Sequence, residues 1–126
     1  MNKKILICDD DEGILDLLEL LLEDEGFSIV SERNSLNIYN VISHQQPDLL
    51  LLDLWMPVLS GDQILKNLRQ NPETASLPVI VISASRDGRQ IADSSGADDY
   101  IAKPFDITEV IERINRLLFK DRAFRA

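Results

Sequence analysis

Four short apolar runs in this sequence end in polar residues that could do chemistry. The runs cover residues 5–8, 49–52, 79–82 and 100–102, and the polar residues that follow them are Asp9, Asp10, Asp11, Asp53, Ser83 and Lys103. If the runs are parallel strands, their carboxyl ends lie along one edge of a sheet, where ligands bind in such folds. The sequence therefore predicts one pocket of carboxylates, a hydroxyl and an ammonium, suited to a hard divalent cation and an anionic group.

The acids in this pocket predict a bound cation. Two carboxylates about 4 Å apart repel each other by about 4 kcal/mol at an effective dielectric constant of about 20, so a cluster of them needs a counter-charge to stay ionised. Mg²⁺ prefers carboxylate, carbonyl and water oxygens and often completes its shell with phosphate. Zinc is not expected, because the sequence has one cysteine and one histidine. We expect that histidine, His44, on the surface of a helix.

Asp53 is the candidate nucleophile, because it ends the central apolar run and opens onto the crevice. A carboxylate beside a metal can attack phosphorus and form an aspartyl phosphate, and positioning and charge neutralisation supply most of the catalysis of such a transfer. The cation would neutralise one side of the phosphoryl group and Lys103 the other, while Ser83 donates to a third oxygen. Taken singly, such residues also occur as helix-terminal acids, strand-end caps and surface lysines. Their occurrence at successive strand ends favours the site.

Composition places the chain among ordinary globular proteins. Its 126 residues suffice for one domain, with 44% hydrophobic and 28% charged residues. The net charge of −9 argues against nucleic acid as a direct partner. Nine acids and no base fall within residues 9–25, which either attract cations or form a solvated helix face. We expect a cytoplasmic protein, because no apolar stretch approaches the ~20 residues of a membrane span and the start is unlike a signal peptide. No internal disulfide is possible, because Cys8 is the single cysteine. Cys8 falls in an apolar run, where we expect a buried hydrophobic residue.

Strand-like and helix-like patterns alternate through the chain and predict five β-α pairs. Strands are predicted near residues 5–8, 27–30, 49–52, 79–82 and 98–102, and helices near residues 14–25, 36–46, 60–71, 88–95 and 107–118. This alternation predicts an α/β three-layer sandwich, in which a parallel sheet with right-handed crossovers carries helices on both faces. We expect one domain over residues 1–120, with residues 121–126 as a C-terminal tail or the start of a linker.

The polar strand ends also carry a family resemblance. The matching segments are Asp9-Asp10, Asp53-Leu54-Trp55-Met56-Pro57 with Gly61, Ser83-Ala84, and the run from Gly96 to Phe105. In this order they resemble the receiver domains of two-component response regulators, of the chemotaxis-regulator type, over residues 3–120. The resemblance implies a flavodoxin-like (βα)5 fold with the strand order 2-1-3-4-5.

The resemblance also implies a role for each site residue. Asp53 would accept a phosphoryl group from the phosphohistidine of a sensor histidine kinase or a phosphotransfer protein, with Ser83 and Lys103 assisting. Mg²⁺ would be bound by Asp10, Asp53 and the backbone carbonyl of Trp55, with Asp9 helping through water. Such a domain catalyses only its own phosphorylation and dephosphorylation.

A conformational switch is implied as well. Ser83 and Tyr100 match the family's switch pair, and the bond before Pro104 matches its cis peptide. Phosphorylation would then favour one of two pre-existing packings. The change would reach an output protein or a missing output domain through the face formed by the fourth helix, the fifth strand and the fifth helix. The domain would be a monomer or a phosphorylation-dependent dimer.

Several alternatives remain open from the residues. An aspartate-nucleophile hydrolase normally has a second acid two residues after the nucleophile, where Trp55 stands. A flavodoxin-like cofactor binder needs a phosphate loop after the first strand, where three acids stand instead. A phosphate-independent pseudo-receiver would not need the full set of acids, hydroxyl and lysine. Trp55 itself either screens the acyl phosphate from water or offers a rim aromatic to a partner, and the chain is either a free-standing regulator or part of a longer one.

Overall fold

A five-stranded parallel sheet forms the centre of the protein. The computed structural model describes residues 2–119. The elements in chain order are β1 (Lys4–Cys8), α1 (Glu12–Asp24), β2 (Ser28–Glu32), a 3₁₀ turn (Ser35–Asn37), α2 (Ile38–Gln45), β3 (Leu49–Asp53), α3 (Gly61–Gln70), β4 (Val79–Ser83), α4 (Gly88–Ser95), β5 (Asp99–Ala102) and α5 (Ile107–Leu118). The strand order is β2-β1-β3-β4-β5 and every neighbouring pair is parallel. The predicted α/β fold and its 2-1-3-4-5 order are confirmed, while the predicted tail, residues 121–126, lies outside the described residues.

Alternation along the strands divides the core into two layers. In β3, Leu50 and Leu52 pack toward α2, α3 and α4, whereas Leu49 and Leu51 pack toward α1 and α5. All four side chains are fully buried. Burying a leucine contributes about 1.5–3 kcal/mol, and a strand made only of leucines is typical of a central position covered on both faces.

The second helix begins later than its apolar pattern predicts. Leu36 lies in the 3₁₀ turn and is 56% exposed. The turn is capped by Asn34, whose side chain accepts a hydrogen bond from the Leu36 N–H. Local capping thus decides where the helix begins, and α2 is anchored by Ile38 and Ile42 instead.

Strand register sets the level of the polar strand ends. Cys8 pairs with Leu52, so Asp9 and Asp53 each follow a paired residue on neighbouring strands. Ser83 pairs with Ala102, so Lys103 follows directly after the pair at the end of β5.

Across residues 2–119, no helix combines the length and the apolar character that a membrane crossing would require.

Candidate functional site

Three carboxylates meet at the carboxyl edge of the sheet. Asp9, Asp10 and Asp53 each offer one ligand oxygen, and these oxygens all lie within 4.8 Å of one another. Asp9 and Asp53 are buried, with 2% and 6% of their surface exposed, while Asp10 is exposed. An all-oxygen donor set of this kind fits Mg²⁺ better than a softer metal.

The third acid of the run has a different role. Asp11 is the N-cap of α1, and its side chain accepts a hydrogen bond from the Ile14 N–H at 3.2 Å. Its own N–H donates to the Asp9 carboxylate at 2.9 Å. The acids that the sequence groups together after β1 are therefore divided between the cluster and the helix cap.

Lys103 supplies the cation within this cluster. Its ammonium lies 3.1 Å from Oδ2 of Asp9 and 3.5 Å from Oδ1 of Asp53, and 18% of its side chain is exposed. The Lys103 N–H donates to the Ser83 carbonyl at 2.9 Å, which ties the end of β5 to the end of β4. The bond between Lys103 and Pro104 is cis.

The charges of the cluster do not balance. Burial raises the pKa of Asp53 to about 6, and the negative charge of Asp9 adds to this, while Lys103 acts in the opposite direction. Burial by itself would lower the pKa of Lys103, but its hydrogen bond to Asp9 and the charges of both acids outweigh that effect and raise it. One ammonium therefore faces two buried carboxylates and Asp10 beside them, and a divalent cation would remove the excess negative charge.

The start of α3 packs tightly against the backbone of Asp53. A Cβ atom on Gly61 would lie 2.3 Å from the Asp53 carbonyl oxygen, so only glycine fits there. Gly61 also donates its N–H to the Leu54 carbonyl at 2.8 Å. Trp55, two residues after Asp53, is half-exposed. That the Trp55 carbonyl binds a metal stays a prediction.

Ser83 and Tyr100 are in direct contact. Ser83 is fully buried, and its hydroxyl accepts a hydrogen bond from the Ser85 N–H at 3.0 Å. The Tyr100 ring is 8% exposed, and its hydroxyl donates to the carbonyls of Ser83 and Ser85 at 3.2 and 3.3 Å. The guanidinium of Arg89 lies 5.5 Å from the centre of the Tyr100 ring. The sequence pattern indicates the pair but not Arg89, which carries no signal beyond its position in α4.

Two residues have no part in the site. Cys8 is fully buried with its thiol 3.7 Å from the Met56 sulfur, and burial raises its pKa to about 12, so it is a packing residue rather than a nucleophile. His44 is an exposed residue of α2, with Nδ1 2.8 Å from the Asn40 carbonyl. Both positions are as expected from the sequence.

Comparison with known proteins identifies the class. A model of the response regulator receiver domain family matches residues 5–115. The chain is 40% identical over 120 residues to the response regulator GtcR of Aneurinibacillus migulanus, covering 94% of this chain and 48% of that protein. It is 38% identical to the DNA-binding dual master transcriptional regulator RpaA of Synechocystis, covering 91% of this chain and 48% of that protein. A putative response regulator from Chloroflexus aurantiacus superposes with a TM-score of 0.90 at 29% identity, covering 94% of this chain and 98% of that one.

The protein belongs to the receiver domains of two-component response regulators. Receiver domains are signalling domains rather than conventional enzymes, and this membership excludes the hydrolase and the flavodoxin-like cofactor binder as the class of protein. The chain spans about half the length of the curated relatives that it matches.

Proposed function

We propose that Asp53 accepts a phosphoryl group from the phosphohistidine of a sensor kinase or phosphotransfer protein, in a Mg²⁺-dependent reaction that regulates an output partner or domain. The observation that carries the proposal is the convergence of Asp9, Asp10, Asp53 and Lys103 at one sheet edge. The four residues come from the ends of three strands, β1, β3 and β5, and only Asp9 and Asp10 are neighbours in sequence.

The metal would be held by Asp10, Asp53 and the Trp55 carbonyl, with Asp9 acting through water. When bound, Mg²⁺ supplies positive charge against the carboxylates and the incoming phosphoryl oxygens. The donor set supports this assignment, because the clustered groups are carboxylates and two of the three are buried. A cytoplasmic location and the oligomeric state stay predictions.

The chain's own residues would carry the transfer. A carboxylate oxygen of Asp53 attacks phosphorus, the new P–O bond forms, and the P–N bond to the donor imidazole breaks with its electron pair returning to the ring nitrogen. Lys103 already lies beside Asp53 and stabilises the negative charge of the phosphoryl oxygens. Ser83 donates its hydroxyl hydrogen to a phosphoryl oxygen after its oxygen leaves the Ser85 N–H.

The partner would enter through an apolar groove beside the acceptor. A groove of about 410 Å³ is lined by Ile14, Leu17, Ala84, Lys103, Pro104 and Phe105. Lys103 belongs both to this groove and to the acidic cluster, so a protein seated here brings its phosphohistidine to Asp53. Leu17 is 47% exposed, an apolar side chain available to such a partner.

The change would reach the output through Ser83 and Tyr100. Movement of the Ser83 hydroxyl breaks its hydrogen bond with Ser85, and Ser85 also holds the Tyr100 hydroxyl. Tyr100 lies on β5 beneath the start of α4. The face formed by α4, β5 and α5 would therefore differ between the two states, as a population shift between packings.

Labelling with a small phosphodonor tests the proposal directly. The protein is incubated with acetyl phosphate and MgCl₂, and intact mass is followed over time. We expect a single added phosphoryl group, lost in Asp53→Asn and lost when EDTA is present. No labelling of the wild-type chain would favour the pseudo-receiver. Autophosphorylated histidine kinases of the source organism, tested one by one, then identify the donor.

A further inference from the structure

The start of α4 lies against the ring of Tyr100. Gly88 is the first residue of α4, and a Cβ atom at that position would lie 2.8 Å from the Tyr100 hydroxyl oxygen and 2.9 Å from its Cε1. It would also lie 3.1 Å from Cβ of Ser83. Real Cβ atoms essentially never approach other atoms closer than 3.0 Å, so the present position of the ring requires glycine at residue 88.

The backbone at this position does not explain the glycine. Among the described residues, the glycines with positive φ are Gly26 and Gly96, both at helix ends. Gly88 instead is the first residue of α4 and its φ is not positive, so the backbone there does not require glycine. Packing against Tyr100 is therefore the reason that the structure offers for a glycine here.

The ring and the helix are joined by a shared acceptor. The Ser85 carbonyl accepts a hydrogen bond from the Tyr100 hydroxyl at 3.3 Å and another from the Gly88 N–H at 3.2 Å. The next residue of the helix, Arg89, places its guanidinium over the same ring. The first two residues of α4 and the ring therefore form one contiguous contact, and neither can move far without the other.

We propose that Gly88 is a positioning residue that couples Tyr100 to α4. It leaves the space that the buried ring occupies, so the position of the ring and the position of the helix start determine each other. In its signalling role this inference rests on the proposed function, because Ser83 is the residue through which Asp53 would reach the contact. The steric coupling itself does not depend on phosphorylation.

The accessibility of Tyr100 tests the steric part. Gly88→Ala is treated with tetranitromethane, and nitration of Tyr100 is measured by peptide mass spectrometry relative to Tyr39, which is 37% exposed. We expect the nitration rate of Tyr100 relative to Tyr39 to rise about tenfold. Overpacking destabilises the buried position of the ring and so increases the fraction of molecules in which the ring is exposed. Gly13→Ala is the matched control, because Gly13 lies in α1 and its Cβ would meet only the Asp11 side chain at 3.3 Å. Unchanged nitration of Tyr100 in Gly88→Ala would overturn the inference.

A double-mutant cycle separates this coupling from a general loss of stability. Gly88→Ala is made alone and together with Tyr100→Leu, which removes the two ring atoms closest to residue 88. We expect Gly88→Ala to lower the Tm of the wild-type chain and to lower it much less, or raise it, in the Tyr100→Leu chain. An equal loss in both chains would show that the glycine serves some purpose other than accommodating the ring.

The signalling part has its own readout. Acetyl phosphate with Mg²⁺ should label Gly88→Ala to the same final extent as the wild type, whereas the change that full labelling produces in amide hydrogen exchange of α4 and β5 should be lost in the variant. A full exchange response in Gly88→Ala would overturn the coupling. If the wild-type chain is not labelled at all, the proposed function fails, and the nitration and double-mutant results still decide the role of Gly88.

Discussion

The ammonium of Lys103 lies 3.1 Å from the carboxylate of Asp9, although 94 residues separate the two in sequence. The same ammonium lies 3.5 Å from Asp53, so it is shared between two buried acids. Because one positive charge cannot balance both, the site holds excess negative charge. This imbalance leads to the first two predictions.

Asp53→Asn should stabilise the protein at neutral pH in the absence of Mg²⁺. The folded-state pKa of Asp53 is about 6, above its ordinary value of 3.8, so the folded protein holds this proton more tightly than the unfolded chain does. Ionisation of Asp53 therefore lowers the stability of the fold as pH rises from about 4 to about 6. Above about pH 6 this loss of stability approaches its full value. We expect Asp53→Asn to raise the free energy of unfolding by about 2–3 kcal/mol at pH 7.5. Urea denaturation at a series of pH values measures the difference.

The gain should be small at pH 4 and should disappear below about pH 3, where Asp53 is protonated in both the folded and the unfolded state. Asp16→Asn is the control, because Asp16 is an exposed acid of α1, and its replacement should leave stability nearly unchanged at every pH. Equal stability of Asp53→Asn and the wild type at pH 7.5 would contradict the charge imbalance.

Mg²⁺ binding should change the fluorescence of Trp55, the single tryptophan of the sequence. Its half-exposed side chain lies two residues after Asp53, so charge and water next to the indole change when the cluster binds a cation. We expect a saturable change on MgCl₂ titration that Asp10→Asn weakens strongly. Asp11→Asn keeps the cap of α1, since asparagine caps equally well, and should titrate like the wild type. A flat wild-type titration would count against the metal site.

Trp55→Ala should shorten the life of the aspartyl phosphate if the indole screens it from water. Decay of the labelled protein is followed by intact mass after the phosphodonor is removed, with Trp55→Phe as the control that keeps an aromatic ring. Decay that is faster in Trp55→Ala but not in Trp55→Phe supports screening of the aspartyl phosphate from water by the indole. Unchanged decay together with slower transfer from a kinase would assign Trp55 to the partner surface instead.

Val58→Gly should stabilise the protein. Val58 has a φ of 72°, and the Leu59 N–H donates to the Pro57 carbonyl at 2.9 Å across it, which makes Val58 the centre of a strained γ-turn. Its side chain is 84% exposed and gains little packing in return. We expect the free energy of unfolding to rise by about 1 kcal/mol. Val58→Ala keeps a Cβ atom and should not show this gain; a glycine variant less stable than the wild type would refute the strain.

Arg69→Met should destabilise the fold. The Arg69 guanidinium donates to the carbonyls of Gly96, Ala75 and Leu77 and pairs with Asp98 at 2.9 Å, which ties α3 to both ends of the β4–α4 unit. Its loss removes the donor of three carbonyls, while the Asp98 carboxylate keeps its hydrogen bond from the Val79 N–H at 2.8 Å. Because most of these groups reach water, we expect about 1–2 kcal/mol lower stability in urea. Arg116→Met is the control, because its pair with Glu112 is exposed on both sides. Similar losses for the two variants would show that the Arg69 network contributes no more than a surface pair.

The sequence by itself determined the architecture and the kind of site. The unbroken run from Leu49 to Leu52 is typical of a central strand, and the alternation of strands with helices indicates a parallel sheet that buries it on both faces. A parallel sheet then brings its strand ends to one edge, so the clustering of Asp9, Asp10, Asp53 and Lys103 follows from the chain pattern. The central strand is visible in the sequence as a local pattern, and the clustering of the polar residues follows from the sheet topology that this pattern predicts.

Only the tertiary structure decided which contacts the clustered side chains make. Lys103 lies closer to Asp9 than to Asp53, and Gly88 makes room for Tyr100. Both outcomes depend on strand register, side-chain rotamers and helix placement, which residues far apart in the chain set together. A sequence pattern does not predict such distances, because they arise from close packing of the whole core rather than from any one segment.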